Sequence, residues 1–203
     1  MISHTKIDNF IAKYEETLEK ISIDSDAEET TSVREKYVTH SQIKACSFDE
    51  VAKKYGAELK ISTPKSVDAL CRFTEVYSFI EFKNGKIDKK KAFSVAQKVY
   101  DSILILDYFT ECGTKYMRDH TEFILVYNEN ISGNSDEDFK KISVFNTGTE
   151  GEAPSKYIKK TLAQLANKEF VFFGFNFFKK YCFKDVHTFN KKEFEDYLIK
   201  NQK

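Results

Sequence analysis

Tryptophan is absent from this 203-residue chain, proline occurs twice and glycine seven times. No internal repeat or low-complexity tract divides it, and the length predicts a single domain over 1–203. An excess of charge of either sign is missing too. The 32 Lys and Arg residues balance 32 Asp and Glu, for a formal net charge of zero. Global charge therefore argues neither for nor against nucleic acid, and any polyanion site must be a local patch. The four cysteines, Cys46, Cys71, Cys112 and Cys182, include no C-x-x-C pair. That argues against a zinc site and for reduced thiols in a cytoplasmic protein. His4, His40, His120 and His187 are scattered and form no metal-spaced pair. No apolar run is long enough to span a bilayer. The N-terminus lacks a basic stretch followed by an apolar one, so neither membrane insertion nor secretion is expected. Glycine-rich phosphate loops and G-x-S-x-G are also missing.

What is present is a phenylalanine-rich core and one odd hairpin. Hydrophobic residues make up 41% of the chain, and Phe (19) and Tyr (11) dominate the aromatics. Helical spacing of Ile7, Phe10, Ile11, Tyr14, Leu18 and Ile21 predicts a first helix. Asp24 to Ser32 reads as a loop. Ser47-Phe-Asp-Glu50 is a capping box opening a helix that Gly56 would close. Ala57 to Ser62 reads as a short strand. Asn84-Gly85 marks a turn. A long helix follows from about Asp88 to Phe109, with Phe93, Ala96, Val99, Tyr100, Ile103 and Leu104 on its packed side. Glu122 to Tyr127 is a continuous apolar strand, as expected when both faces are buried. Asn128 to Asp138 reads as a loop, Ile142 to Phe145 as a strand, Thr147 to Pro154 as flexible, and Ser155 as the cap of a helix reaching about Ala166. Phe170 to Phe178 reads as a strand and turn. Asn190-Lys-Lys-Glu193 is a capping-box variant that opens a last helix, Lys191 to Lys200. This order predicts an α/β (α+β) fold with a central mixed sheet flanked by helices.

The hairpin carries the chemistry. Two apolar runs, Val67 to Phe73 and Val76 to Phe82, flank Thr74-Glu75. A two-residue turn pairs Phe73 with Val76 and sets Asp68 opposite Glu81; a four-residue loop sets Asp68 opposite Lys83. Side chains alternate with period two, so either register puts all three charges on one face. Opposed carboxylates repel, and a divalent cation is the usual relief. The alternative is a cross-strand salt-bridge cluster on a solvated sheet face.

Asp68 in V-D-A-L-C-R-F and the triplet Glu81-Phe82-Lys83 in F-I-E-F-K-N-G resemble the PD-(D/E)xK nuclease superfamily, with Val67 where its Pro is expected. The resemblance covers roughly the middle third of the chain. It implies a restriction-endonuclease-like core over about 44–128, with helix, hairpin, helix and strand, and a C-terminal α/β extension over about 140–203. It implies a Mg²⁺- or Mn²⁺-dependent hydrolase that cleaves phosphodiester bonds, in DNA rather than RNA, in a bacterial defence or mobile-element setting. Asp68, Glu81 and the backbone carbonyl of Phe82 would hold the metal. Lys83 would position water or balance phosphate charge. Gln97 would orient the water or Lys83, although its spacing to Tyr100 is one short of the family's Q-x-x-x-Y. An N-terminal acid, one of Glu15, Glu16, Glu19 and Glu50, would join them. Lys86, Lys89, Lys90 and Lys91 would form a basic strip for flanking phosphates. The rival expectation is a member of the fold without turnover, acting as a binding, immunity or interaction module. A homodimer or a protein partner is left open.

Overall fold

A computed structural model describes residues 2–23, 36–129 and 171–201. The expected loops, strand and helix within 24–35 and 130–170 lie outside the described residues.

One six-stranded mixed sheet, in sequential order, positions everything else. Its first four strands, β1 (Glu15–Thr17), β2 (Lys44–Ser47), β3 (Ala69–Phe73) and β4 (Val76–Lys83), pair antiparallel with one another in turn. Strands β5 (Thr121–Tyr127) and β6 (Asp185–Asn190) extend the sheet in parallel with β4. A parallel partner requires a crossover, which the long helix α4 (Lys89–Thr110) and the short α5 (Thr114–His120) supply. Helices α1 (Ile2–Ile11) and α3 (Phe48–Leu59) share its side of the sheet. The other face is covered by α6 (Lys191–Asn201) and the short α2 (Leu18–Ile21). The expected mixed sheet flanked by helices is what the chain forms.

Each face buries its own core. On the α4 side Leu70, Phe79, Phe123 and Leu125 pack with Val95, Val99 and Leu106. On the other side Ile80, Ile124 and Val126 pack with Phe194, Leu198 and Leu18. Strand β5 is buried at every position because both faces are covered. Glu122 is buried there, and Ser78 and Tyr197 each donate to it at 2.5 Å, with His187 at 3.4 Å. These bonds tie α6 to the sheet and satisfy a carboxylate that would otherwise be costly to bury.

Tertiary structure overrides the local pattern at five places. The expected Ile7–Ile21 helix breaks after a 3₁₀ turn at Ala12–Tyr14, because Glu15–Thr17 pairs with β2. Its helical spacing joins residues of two cores: Ile7 and Phe10 belong to one, Leu18 to the other. Gly56 does not close α3. The helix runs to Leu59 and ends on Lys60 in the left-handed region, so Ala57–Ser62 forms no strand. A Cβ at Gly56 would stand 3.1 Å from Thr63 Cα, so the glycine permits close packing of the chain just beyond the helix. Ser47 precedes that helix but its side chain caps nothing. The described part of the Phe170–Phe178 run forms no strand; Gly174, at φ 77°, leads into a 3₁₀ turn over Phe175–Phe178, and the rings fill the core. The fifth is the packed side of α4. Phe93 and Leu104 are 66% and 62% exposed, while Ala92, Val95, Ser102 and Ile105 are buried. Apolar residues occur all round this helix, and its polar groups decide which side turns inward.

Other local rules hold. Asp88 caps α4 by accepting from Lys91 N at 2.8 Å. Asn190 and Glu193 cap α6 reciprocally, at 2.8 and 3.0 Å. The Thr74-Glu75 turn is the two-residue one, with Phe73 paired to Val76. It forces Thr74 to φ 53°, a strained conformation for a β-branched residue. Thr74→Gly is expected to stabilise the protein by about 0.5–1 kcal/mol, the left-handed penalty less the entropy of glycine. A denaturant midpoint below wild type would show instead that the Thr74 hydroxyl bond to Phe73 O outweighs the strain.

Candidate functional site

The two-residue turn fixes the register up to Ala69 opposite Ile80, which places Asp68 and Glu81 just beyond the last pair of the hairpin. There the strand peels away. Asp68 N still donates to Ile80 O, while Asp68 O accepts from Phe48 N, both at 3.0 Å. The next donor of β4, Phe82 N, is taken by the Asp68 side chain, with Oδ2 at 2.6 Å. The carboxylate thus ends the ladder in place of backbone. In a strand the N–H and C=O of one residue point the same way, so the Phe82 carbonyl also faces the Asp68 side.

Helix α4 closes over this end. Ser102 Oγ accepts from Val67 N at 2.9 Å. One turn earlier, Lys98 Nζ stands 2.8 and 3.1 Å from the two Glu81 oxygens and 3.3 Å from Asp68 Oδ1. Residues four apart share a helix face, so Lys98 and Ser102 grip adjacent hairpin residues, which helps set the rotation of α4. Lys83 Nζ lies 2.6 Å from Glu81 Oε1. Glu81 is fully buried, while Asp68, Lys83 and Lys98 keep some exposure.

The structure therefore brings Asp68, Glu81 and Lys83 together on one face. Gln97 is not with them: it lies on the exposed side of α4, and its neighbour Lys98 reaches the carboxylates. Lys98 carried no motif signal, because a lone lysine inside an amphipathic helix reads as solvated surface. Asp49 was missed as well. It stands in the first turn of α3, accepts from Ser66 Oγ at 2.6 Å and lines the same cleft as Asp68. Its neighbour Glu50 pairs with Lys53 on the surface, Glu16 with Lys20, and Glu19 with His40. Glu15 is exposed at the edge strand. None of the four glutamates is among the cleft walls.

The cleft holds about 470 Å³. Ile21, Ile23 and Val38 form an apolar wall, and Lys83, Lys91 and Lys98 supply cations. Lys86, Lys89 and Lys90 are exposed beyond those walls. Burial, with the Glu81 charge added to it, raises Asp68 to about 7 against the attraction of Lys98 and Lys83. Burial alone would lower Lys98; Glu81 and Asp68 outweigh it and hold the ammonium above its ordinary range.

Among the described residues no three His, Cys, Asp or Glu side chains form a metal-holding group. Two carboxylates do meet at one cationic point, however, because Lys98 Nζ contacts both. Carboxylate oxygens are the donors that hard divalent cations take.

Asp68 also makes stability depend on pH. Its folded-state value lies above the ordinary 3.8, so its contribution favours folding at low pH and is lost as pH rises from about 4 to about 7. The slope is at most about 1.4 kcal/mol per pH unit. Subtracting the melting profile of Asp68→Asn from that of wild type is expected to show this decline. A flat difference would mean that Asp68 stays ionised throughout. No family model, no curated protein and no solved structure matches the chain, so the chemistry rests on these residues.

Proposed function

We propose that the protein is a divalent-cation-dependent phosphodiesterase acting on nucleic acid, with Mg²⁺ or Mn²⁺ as the metal. The observation that carries this reading is the single cationic point, Lys98 Nζ, shared by Asp68 and Glu81 at the open end of a hairpin, where Asp68 and Lys98 line a cation-rich cleft and Glu81 lies buried behind them. The order α3, β3–β4, α4, β5 accords with the PD-(D/E)xK resemblance. DNA as the substrate, rather than RNA, follows from that resemblance.

Asp68 and Glu81 would hold the metal, with the Phe82 carbonyl as a third donor. A metal there would lower the pKa of bound water and offset charge building on the phosphate. Asp68 is fixed by Phe82 N, so its remaining oxygen keeps one orientation. Glu81 cannot turn to water, being fully buried. Lys83, which lines the cleft beside Glu81, would orient the attacking water or neutralise a phosphate oxygen. Lys91 and the exposed Lys86, Lys89 and Lys90 would meet flanking phosphates.

One observation favours a second reading, a module of the same fold without turnover. Both carboxylates already have ammonium partners, Lys98 on each and Lys83 on Glu81. A cleavage assay separates the readings. Single- and double-stranded DNA and RNA are incubated with Mg²⁺ or Mn²⁺, using wild type, Lys83→Ala and Glu81→Ala. Cleavage by wild type, reduced about 10²–10³-fold in Lys83→Ala and abolished in Glu81→Ala, is expected. Folded wild type that cleaves nothing with either metal would leave the binding module.

A further inference from the structure

We propose that Lys98 is a built-in competitor for the metal, displaced when a phosphodiester backbone enters the cleft, so that metal and nucleic acid bind together. This rests on the phosphodiesterase reading.

Three observations carry it. First, the Lys98 ammonium stands where a bridging cation would stand, within 3.3 Å of both Asp68 and Glu81. It is the charge a metal must replace. Second, once Asp68 is ionised the four site charges sum to zero: two carboxylates against Lys83 and Lys98. A divalent cation added beside both ammonium groups would leave a local excess of two positive charges in a mostly buried setting. Each diester brings one negative charge, which offsets that excess and gives Lys98 a new partner. Third, the ammonium has somewhere to go. Lys98, Ser94 and Lys91 follow one another along α4 at four- and three-residue spacing, and all three line the cleft. Lys65 joins this row through Ser94 Oγ at 3.2 Å. Lys91 and Ser94 thus offer a phosphate an ammonium group and a hydroxyl on the helix face that carries Lys98. Lys98 sits on a flexible four-carbon stem and is already partly exposed, so it can swing toward Ser94 and Lys91 without moving the helix.

The site would thus be off by default, and the polyanion would serve as both substrate and trigger. Free metal alone would load it poorly.

The test is a Mn²⁺ titration of the full chain, read by the electron paramagnetic resonance signal of free Mn²⁺. It is run without nucleic acid and with a 20-nucleotide phosphorothioate DNA, single- and double-stranded. Without DNA, Lys98→Met and Lys98→Gln are expected to bind Mn²⁺ about tenfold or more tightly than wild type. Either DNA form should tighten Mn²⁺ binding to wild type by about tenfold and to the variants by threefold or less. Variants that retain the wild-type circular dichroism but bind Mn²⁺ no more tightly would overturn the inference. So would wild type that ignores the DNA, an arm that does not depend on the variants folding. If wild type cleaves ordinary DNA while these arms fail, only this inference falls. If no protein binds Mn²⁺ with or without DNA, the phosphodiesterase reading falls with it.

Discussion

A carboxylate taken wholly out of water is the constraint that the site end of this fold answers to. Glu81 has no exposed surface, and its charge is met by Lys83 at 2.6 Å and Lys98 at 2.8 Å. Burying such a group without partners costs several kcal/mol, and even a paired one seldom outperforms a hydrophobic replacement. Stability alone gives little reason to keep it. Meeting that charge demands a particular hairpin register, a particular rotation of α4 and an opening at the end of β3. The second carboxylate, Asp68, lies at that opening and draws on the same ammonium.

The rotation of α4 shows how polar and apolar demands divide a helix. Hydrophobic side chains lie all round it, so apolar burial alone leaves its orientation open. Lys98 and Ser102 turn toward the hairpin to serve Glu81, Asp68 and Val67 N, and Phe93 and Leu104 are left largely in solvent. Polar satisfaction thus prevails over two large side chains, because an unpaired buried charge costs more than an exposed Phe or Leu. On the opposite face the same principle holds Glu122 under Ser78 and Tyr197, which anchors α6 and leaves the α4 face to the charged group.

Local chemistry was legible where a residue answers to its own neighbours. The reciprocal cap of Asn190 and Glu193 and the buried β5 follow from short-range pattern. So did the shared face of Asp68, Glu81 and Lys83, which needs only period-two alternation. What escaped depends on partners far along the chain. Glu15–Thr17 becomes a strand because β2 offers it an edge. Gly56 sits inside a helix because Thr63 passes close by. Strand β6 was unread because its parallel partner lies some sixty residues earlier. Lys98 and Asp49 belong to the same class: nothing in a helix marks which lysine or aspartate will meet a hairpin, whereas Gln97, marked by a motif, faces outward.

The position of a bound divalent cation decides whether the hairpin carboxylates form a metal site. Mn²⁺ added at substoichiometric amounts to ¹⁵N-labelled protein broadens amide signals near its site, and phosphorothioate DNA can be included to load it. The amides of Asp68, Phe82, Lys83 and Asn84 are predicted to vanish first, with Lys98 close behind. Broadening centred on Glu122 and His187, or spread over exposed carboxylates with the hairpin untouched, would contradict the metal site.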